Sequence, residues 1–321
     1  MTKPVALIIG ITGQDGSYLA KLLIDKGFKV FGTTRDKFTA HTLNLKKIGI
    51  LNEVVLLTTD ITDFRSILFA LEKTRPDYVF HLAGQTSVGL SFELPFESVE
   101  SIFTSTLNIL EAIRFFNKNI KIFIPCSSDC FGPSTKNDPS NETTKHNPMS
   151  PYAVAKSSSY WLAMTYKNSY NMFICVGFLS NHESPLRGRH FVTSKLFRDI
   201  NRIKNKEIDS IKFGDLSIIR DWGWAPSYVN AIYKMITDEK PNNYIIATGK
   251  SYSLQQIVDK SFEFSGLGSS SKYIKVSDIQ KRPNEISAIY LDPKKAKIML
   301  KWEIDIDLDT MIMKLLKGQL Y

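Results

Sequence analysis

Three observations predict an α/β protein built on a doubly wound parallel sheet with a smaller, mostly C-terminal second domain. Short β-rich runs alternate with longer segments of helical spacing through the first 180 residues. A set of glycines stands between the first run and the first helical segment. After Ser180 the alternation loosens, with more charge and more turns. Strands separated regularly by helices give a parallel sheet covered on both faces, because each crossover lays a helix over the sheet.

In order, the strand-like runs are Val5–Ile9, Lys29–Thr33, Val54–Leu57, Tyr78–Leu82, Lys121–Cys126 and Phe173–Phe178. Leu19, Leu22 and Leu23 mark one intervening apolar helix face, and Leu107, Leu110 and Ile113 another. Asn243–Ala247 is strand-like again and returns the chain to the sheet. The expected division is a first domain of residues 1–180 with a returning segment near 217–250, and a second domain of residues 181–216 and 251–321 over the strand ends.

The 321 residues are 43% apolar, enough for a substantial core. No apolar run approaches the roughly 18 residues of a membrane span. Met1-Thr2-Lys3-Pro4 leads directly into the first strand without a signal-peptide layout, so a cytoplasmic protein with no membrane partner is expected. Cys126, Cys130 and Cys175 lie in or beside core strands and read as buried thiols; no disulfide framework and no metal site are expected. A net charge of +9 attracts anions. The densest basic cluster, Arg198 to Lys206, lacks interleaved aromatics and reads as a solvated helix face, so no nucleic-acid partner is expected.

Gly10-Ile11-Thr12-Gly13-Gln14-Asp15-Gly16 follows the first strand and opens a helix that ends near Gly27. That context suits a Rossmann-type dinucleotide turn, in which glycines admit the pyrophosphate to the backbone and the helix N-terminus stabilises its charge. The spacing is G-x-x-G-x-x-G, a departure from G-x-G-x-x-G. At the end of the second strand an acid binds a free ribose hydroxyl, whereas arginine accommodates a 2′-phosphate. In Thr33-Thr34-Arg35-Asp36, Arg35 favours NADP, and Asp36 is the opposing signal. Asp60 and Ile61 are expected beside the adenine, and Leu82, Ala83 and Gly84 beside the pyrophosphate and nicotinamide ribose.

Tyr152 and Lys156 follow Ser150-Pro151, a good helix start, and their i, i+4 spacing puts both on one face. A lysine ammonium favours the neighbouring phenolate, which can then take a proton from an alcohol. Alone the pair is common on surfaces; with the glycine turn and Ser127-Ser128 at the end of the fifth strand it becomes specific.

With these residues in place the chain resembles an extended short-chain dehydrogenase/reductase, Ser127, Tyr152 and Lys156 matching that group's catalytic triad. More narrowly it is similar to the GDP-mannose 4,6-dehydratases. The matching segments are Gly10 to Leu19, Asn181-His182-Glu183-Ser184-Pro185, Phe191-Val192-Thr193, Gly214-Asp215-Leu216, Arg220-Asp221-Trp222-Gly223, Ile246-Ala247-Thr248-Gly249 and Arg282-Pro283-Asn284-Glu285.

The resemblance implies dehydration of a GDP-sugar, GDP-mannose or a GDP-manno-heptose, through transient hydride transfer to NADP, in a homodimer or homotetramer. Tyr152 would take the 4-hydroxyl proton, Lys156 hold the phenolate and Ser127 orient the oxygen. The family's base is a glutamate two residues after the strand-end hydroxyl, where this chain has Asp129, one methylene shorter. Phe131 replaces a tyrosine, Gly84-Gln85 alters an Ala-Ala-Gln segment, and the loop Arg35 to His41 carries one arginine where the tetramers have several.

On the substrate side the resemblance implies Asn181, Val192, Lys195, Arg220 and Arg282 along the nucleotide-diphosphate groove, the two arginines on phosphate. It also implies Glu285 on ribose, and Glu183 and Arg187 on sugar or base. Ser87, Ser91 and Ser128 are candidates for sugar hydroxyls, and Ser87 and Ser91 equally for capping a turn. Two other readings share these residues: a 4-keto nucleotide-sugar reductase or epimerase, and a non-catalytic sensor of cofactor or nucleotide sugar.

Overall fold

The computed structural model describes residues 3–277 and 283–321. Its strands are β1 (Val5–Ile9), β2 (Lys29–Thr34), β3 (Val55–Thr58), β4 (Tyr78–His81), β5 (Lys121–Ser127), β6 (Ile174–Leu179), β7 (Asn181–Glu183), β8 (Ile211–Phe213), β9 (Ile219–Trp224), β10 (Asn243–Ile246), β11 (Ser251–Ser253) and β12 (Ile274–Val276). The helices used below are α1 (Gln14–Asp25), α2 (Leu43–Ile48), α3 (Phe64–Thr74), α4 (Val88–Glu93), α5 (Pro95–Val99), α6 (Ser105–Asn117), α7 (Pro151–Tyr170), α8 (Val192–Lys204), α9 (Ala225–Thr237), α10 (Leu254–Ser265), α11 (Lys294–Met299) and α12 (Leu308–Lys317).

Seven strands form one parallel sheet in the order β10-β6-β5-β4-β1-β2-β3. The alternation of side chains along each strand explains its two covered faces. Ala6, Ile8, Phe80 and Phe123 face a core shared with Tyr18, Leu19 and Leu23 of α1 and Val229 and Ile232 of α9. Leu7, Ile9, Val79, Ile122 and Ile124 face the other way, onto Ile67 and Leu71 of α3, Ile109, Leu110 and Ile113 of α6 and Ala163 of α7. The reading of the six strand runs holds to within a residue or two at each end. The largest consequence of the difference is that β5 runs on to Ser127, which makes that hydroxyl the last strand position.

A third core lies beyond the strand ends, where α8, α10 and α12 enclose Phe213, Trp222 and Trp224 with Leu196, Ile257 and Ile312. The small sheets β11-β9-β7 and β12-β8 belong to this region. The return to the main sheet starts later than residue 217: β9 pairs with β7 and β11, and α9 and β10 make the return. Likewise α11 and Trp302 pack into the first core, against β10 and α9, so the last 70 residues divide between both regions. No helix among the described residues is long and apolar enough to cross a membrane.

Buried Asp221 of β9 joins the two regions. Its carboxylate accepts from Ser180 Oγ at 2.9 Å, Thr248 N at 2.9 Å, Thr248 Oγ1 at 2.9 Å and Gly249 N at 2.8 Å. Ser180 leaves β6 and Thr248-Gly249 leaves β10, so one side chain gathers two strand ends of the main sheet onto the small one. Burial raises the Asp221 carboxyl above its usual range, and these donors oppose that shift. Asp221→Ala orphans the Thr248 and Gly249 amides in a buried site. The expected cost is about 3 kcal/mol, checked as a lower urea midpoint at unchanged slope; a midpoint within error of the parent contradicts the assignment.

Candidate active site

A groove of about 830 Å³ runs between the carboxyl ends of the main sheet and the second region, the place where open α/β sheets take ligands. One wall is the glycine turn. Gly10 has φ 91°, and a Cβ there would stand 2.7 Å from Ala83 N. A Cβ at Gly16 would stand 2.4 Å from Gly10 O. Neither position admits another residue without moving backbone. Gly13 stands at the start of α1 and brings no side chain to the exposed amides, which suits the helix N-terminus to an anion.

The side chains of Gln14 and Asp15 turn to the segment after β6. Gln14 donates to His182 O at 3.1 Å and accepts from Ser184 Oγ at 2.8 Å. The His182 ring bridges the Asp15 carboxylate (Nε2, 2.9 Å) and the Ser180 carbonyl (Nδ1, 2.7 Å), and stacks on Tyr228 at 4.7 Å between centroids. Burial raises the Asp15 carboxyl, but the charges of His182 and Arg187 outweigh it and hold the group below its usual value. The Asn181–Pro185 segment thus anchors the turn, and what the turn itself offers a ligand is mainly backbone amides. Asn44 of α2, with no motif to single it out in the sequence, completes the anchor by donating to Thr12 O at 3.1 Å and Leu186 O at 3.3 Å.

The groove wall reaches Thr12, Leu82, Ala83 and Gly84 but stops short of Arg35, Asp60 and Ile61, which lie at the outer ends of β2 and β3. Arg35 is exposed. Asp36 is occupied locally, accepting from Phe38 N at 2.9 Å and Thr39 Oγ1 at 2.8 Å. Asp60 accepts from Thr62 Oγ1 at 2.7 Å and Thr62 N at 2.9 Å; these bonds first, and the nearby Arg35 charge after them, hold its carboxyl low.

Ser127, Asp129, Tyr152 and Lys156 come together on the opposite wall. Ser150 Oγ accepts from Ala153 N at 3.1 Å and Pro151 occupies the first turn of α7, which fixes the helix start that carries Tyr152 and Lys156. Lys156 Nζ donates to Pro125 O at 2.9 Å and stands 5.9 Å from the centre of the Tyr152 ring. Burial pushes the Tyr152 phenol up; the Asp129 charge adds to this and a hydrogen bond with Ser127 opposes it. Burial lowers the Lys156 ammonium.

After β5 a short 3₁₀ turn spans Ser128–Phe131. Ser127 Oγ accepts from Asp129 N at 3.2 Å and donates to Asp129 Oδ2 at 2.9 Å. Ser128 does not meet its expectation as a sugar contact: it is 3% exposed and off the groove wall, because the tight turn points it into the core. Ser91 is also fully buried and donates to Val88 O at 2.7 Å, whereas Ser87 caps α4 and still lines the groove. His81, which no sequence motif marks, is buried beneath this wall with Nε2 3.1 Å from Ser105 Oγ, and burial, then the Lys156 charge, lowers it to about 3.

Asn181, Glu183, Arg187, Val192, Lys195, Arg220 and Glu285 all line the remaining wall. Arg220 Nη2 pairs with Glu285 Oε1 at 2.9 Å. Glu183 accepts from Thr193 Oγ1 at 2.6 Å and pairs with Arg187 Nε at 3.4 Å, so it braces the entry to α8 and holds Arg187 over the Phe191 ring at 3.9 Å. The Lys195 ammonium reaches the Lys212 carbonyl. Arg282 lies outside the described residues.

Known proteins match this arrangement along the whole chain. Residues 7–315 match the family model described as GDP-mannose 4,6 dehydratase. GDP-mannose 4,6 dehydratase 1 of Arabidopsis thaliana is 35% identical over 320 residues, covering 97% of this chain and 88% of the relative. GDP-mannose 4,6-dehydratase of Vibrio cholerae is 35% identical over 356 residues, covering 100% of this chain and 94% of the relative. In fold, the chain is similar to dTDP-glucose 4,6-dehydratase of Bacillus anthracis in complex with NAD, with a TM-score of 0.85 at 16% identity over 98% and 96% of the two chains. It is likewise similar to UDP-glucose 4-epimerase of Thermus thermophilus in complex with NAD, with a TM-score of 0.86 at 20% identity over 98% of each. The match spans the glycine turn, the Ser127–Lys156 wall and the second region alike, and the chain therefore belongs to the GDP-mannose 4,6-dehydratase family.

Proposed function

We propose that the protein is a hydro-lyase that removes water from GDP-mannose, or from a GDP-manno-heptose, to give the 4-keto-6-deoxy sugar, using NADP. The observation that carries this reading is the meeting of Ser127, Asp129, Tyr152 and Lys156 on one wall, opposite an open helix N-terminus. The residues fit a dinucleotide: Gly10 and Gly16 clear the backbone path, and Gly13 brings no side chain to the α1 amides. Those amides would hold the pyrophosphate, Lys156 the nicotinamide ribose and Arg35 the 2′-phosphate. The preference for NADP rests on Arg35 being exposed at the β2 end while Asp36 is turned into its own loop. When bound, the nicotinamide would supply reversible hydride transfer for the exchange between sugar carbons 4 and 6.

The chain's own residues handle the protons. Tyr152 takes the proton of the 4-hydroxyl; its buried phenol needs positive charge nearby to ionise, and Lys156 is the cation in place. The carbonyl at carbon 4 then acidifies the proton on carbon 5. Asp129 removes that proton and passes it to the departing 6-hydroxyl, which leaves as water. Arg220 and Lys195 supply positive charge to the diphosphate, and Glu285, beside Arg220, is placed for the ribose.

With GDP-mannose and a catalytic amount of NADP⁺, the expected product has lost one water with no net formation of NADPH. Asp129→Asn is expected to lower turnover at least about a hundredfold, and Tyr152→Phe about a thousandfold, with nucleotide-sugar binding retained. Net NADPH consumption with a 4-keto sugar would instead mark a reductase, and tight binding with no product a sensor. Arg35→Asp is expected to move the preference from NADP toward NAD by about tenfold or more, read from the two dissociation constants; an unchanged ratio contradicts the NADP assignment.

A further inference from the structure

The hydrogen bonds around Ser127 bear on a step the reading above leaves open: where carbon 5 obtains its final proton. Ser127 Oγ has one proton and two neighbours able to take it. It donates to Asp129 Oδ2 at 2.9 Å, and it lines the same groove as the Tyr152 phenol. Ser127 is held in place by the Asp129 amide at 3.2 Å and by its position at the end of β5. Asp129 is in turn held two residues away by the 3₁₀ turn. The Asp129 carboxylate therefore leans on a hydroxyl that shares the groove with the phenol.

We propose that Ser127 is a proton conduit between Tyr152 and Asp129, and that the proton removed from O4 of the sugar returns to carbon 5 along it. The proposal rests on the dehydratase reading. Two protons move besides the hydride. Tyr152 as phenolate takes the O4 proton. Asp129 takes the carbon 5 proton and gives it to the 6-hydroxyl, the C6–O bond breaks, and water leaves. The sugar then carries a C5–C6 double bond conjugated to the 4-carbonyl, Asp129 is a carboxylate again, and Tyr152 still holds a proton. As hydride adds at carbon 6, the double-bond electron pair must form a C–H bond at carbon 5. Ser127 passes its proton to Asp129 and accepts the one on Tyr152, and Asp129 delivers the proton to carbon 5. Tyr152 ends as phenolate and Asp129 as carboxylate, as both began, so no outside acid is required.

An orienting role alone asks Ser127 only to bond the sugar oxygen. The conduit asks that Tyr152 and Asp129 be coupled through the hydroxyl, which a thermodynamic cycle detects. The holoenzyme carrying ¹³Cζ-tyrosine, without substrate, is titrated by NMR in four forms: parent, Asp129→Asn, Ser127→Ala and the double variant. Removing the Asp129 charge is expected to ease Tyr152 ionisation in both backgrounds. Where Ser127 is present the effect is expected to be larger by at least about fivefold in the ionisation constant, because the released hydroxyl proton turns to the phenolate. Equal effects in the two backgrounds overturn the proposal.

The second measurement is a single turnover of GDP-mannose followed by mass. Ser127→Ala is expected to accumulate a sugar nucleotide two hydrogens lighter than the product, the stalled 5,6-ene. Ser127→Thr, which keeps the hydroxyl, is expected to restore product to within about tenfold of the parent. Slowing of every step together, without the lighter species, overturns the conduit and leaves Ser127 an orienting group. If the parent itself removes no water from GDP-mannose, the dehydratase reading fails, while the titration still decides whether Ser127 couples the two groups.

Discussion

The buried carboxylate of Asp221 is the constraint on which the site depends. A parallel sheet leaves its strand ends as separate loops, and nothing in the sheet fixes those loops relative to one another. Asp221 removes that freedom by accepting from the groups that follow β6 and β10. Ser180, one of those groups, also meets the Tyr228 hydroxyl, and Tyr228 stacks on His182, which reaches Asp15 in the first turn of α1. A continuous polar path thus runs from the second region, through the end of β6, to the glycine turn. A buried polar path of this kind is costly when any member is missing and specific when all are present.

This path gives physical meaning to the sequence motifs. The Asn181–Pro185 and Arg220–Gly223 segments were legible as markers of a family, but their tertiary duties were not. His182, Ser184 and Asp221 act on partners between about 27 and 170 positions away in the chain, and local periodicity carries no trace of such pairings. The strands were legible because their β-branched and aromatic runs serve a core on both faces. The glycine turn was legible because two of its positions exclude any Cβ. Ser128 misled because strand-end hydroxyls look alike in sequence, whereas the 3₁₀ turn after Ser127 sends one to the groove and the next inward. The late return of the chain was hidden because β9 has the burial of a main-sheet strand while pairing with β7 and β11.

The electrostatics of the reactive wall follow from burial. Tyr152 and Lys156 are both largely removed from water, which disfavours each charged form and makes each depend on the other and on what binds beside them. His81 beneath them is kept neutral by the same burial, so it adds no charge to compete with Lys156. The Asp129 carboxylate is steadied locally by the hydroxyl of Ser127, two residues before it. Ser127 and Asp129 thus form one hydrogen-bonded unit that lines the same groove as the Tyr152 phenol.

On the proposed mechanism the site oxidises carbon 4 and returns the same hydrogen to carbon 6 within one residence of the sugar. GDP-mannose bearing deuterium at carbon 4, turned over in ordinary water and examined by NMR, tests it directly. The account predicts deuterium in the 6-methyl group of the product, without dilution by solvent hydrogen. Deuterium that remains at carbon 4, or that is lost to a stoichiometric pool of cofactor, would contradict it.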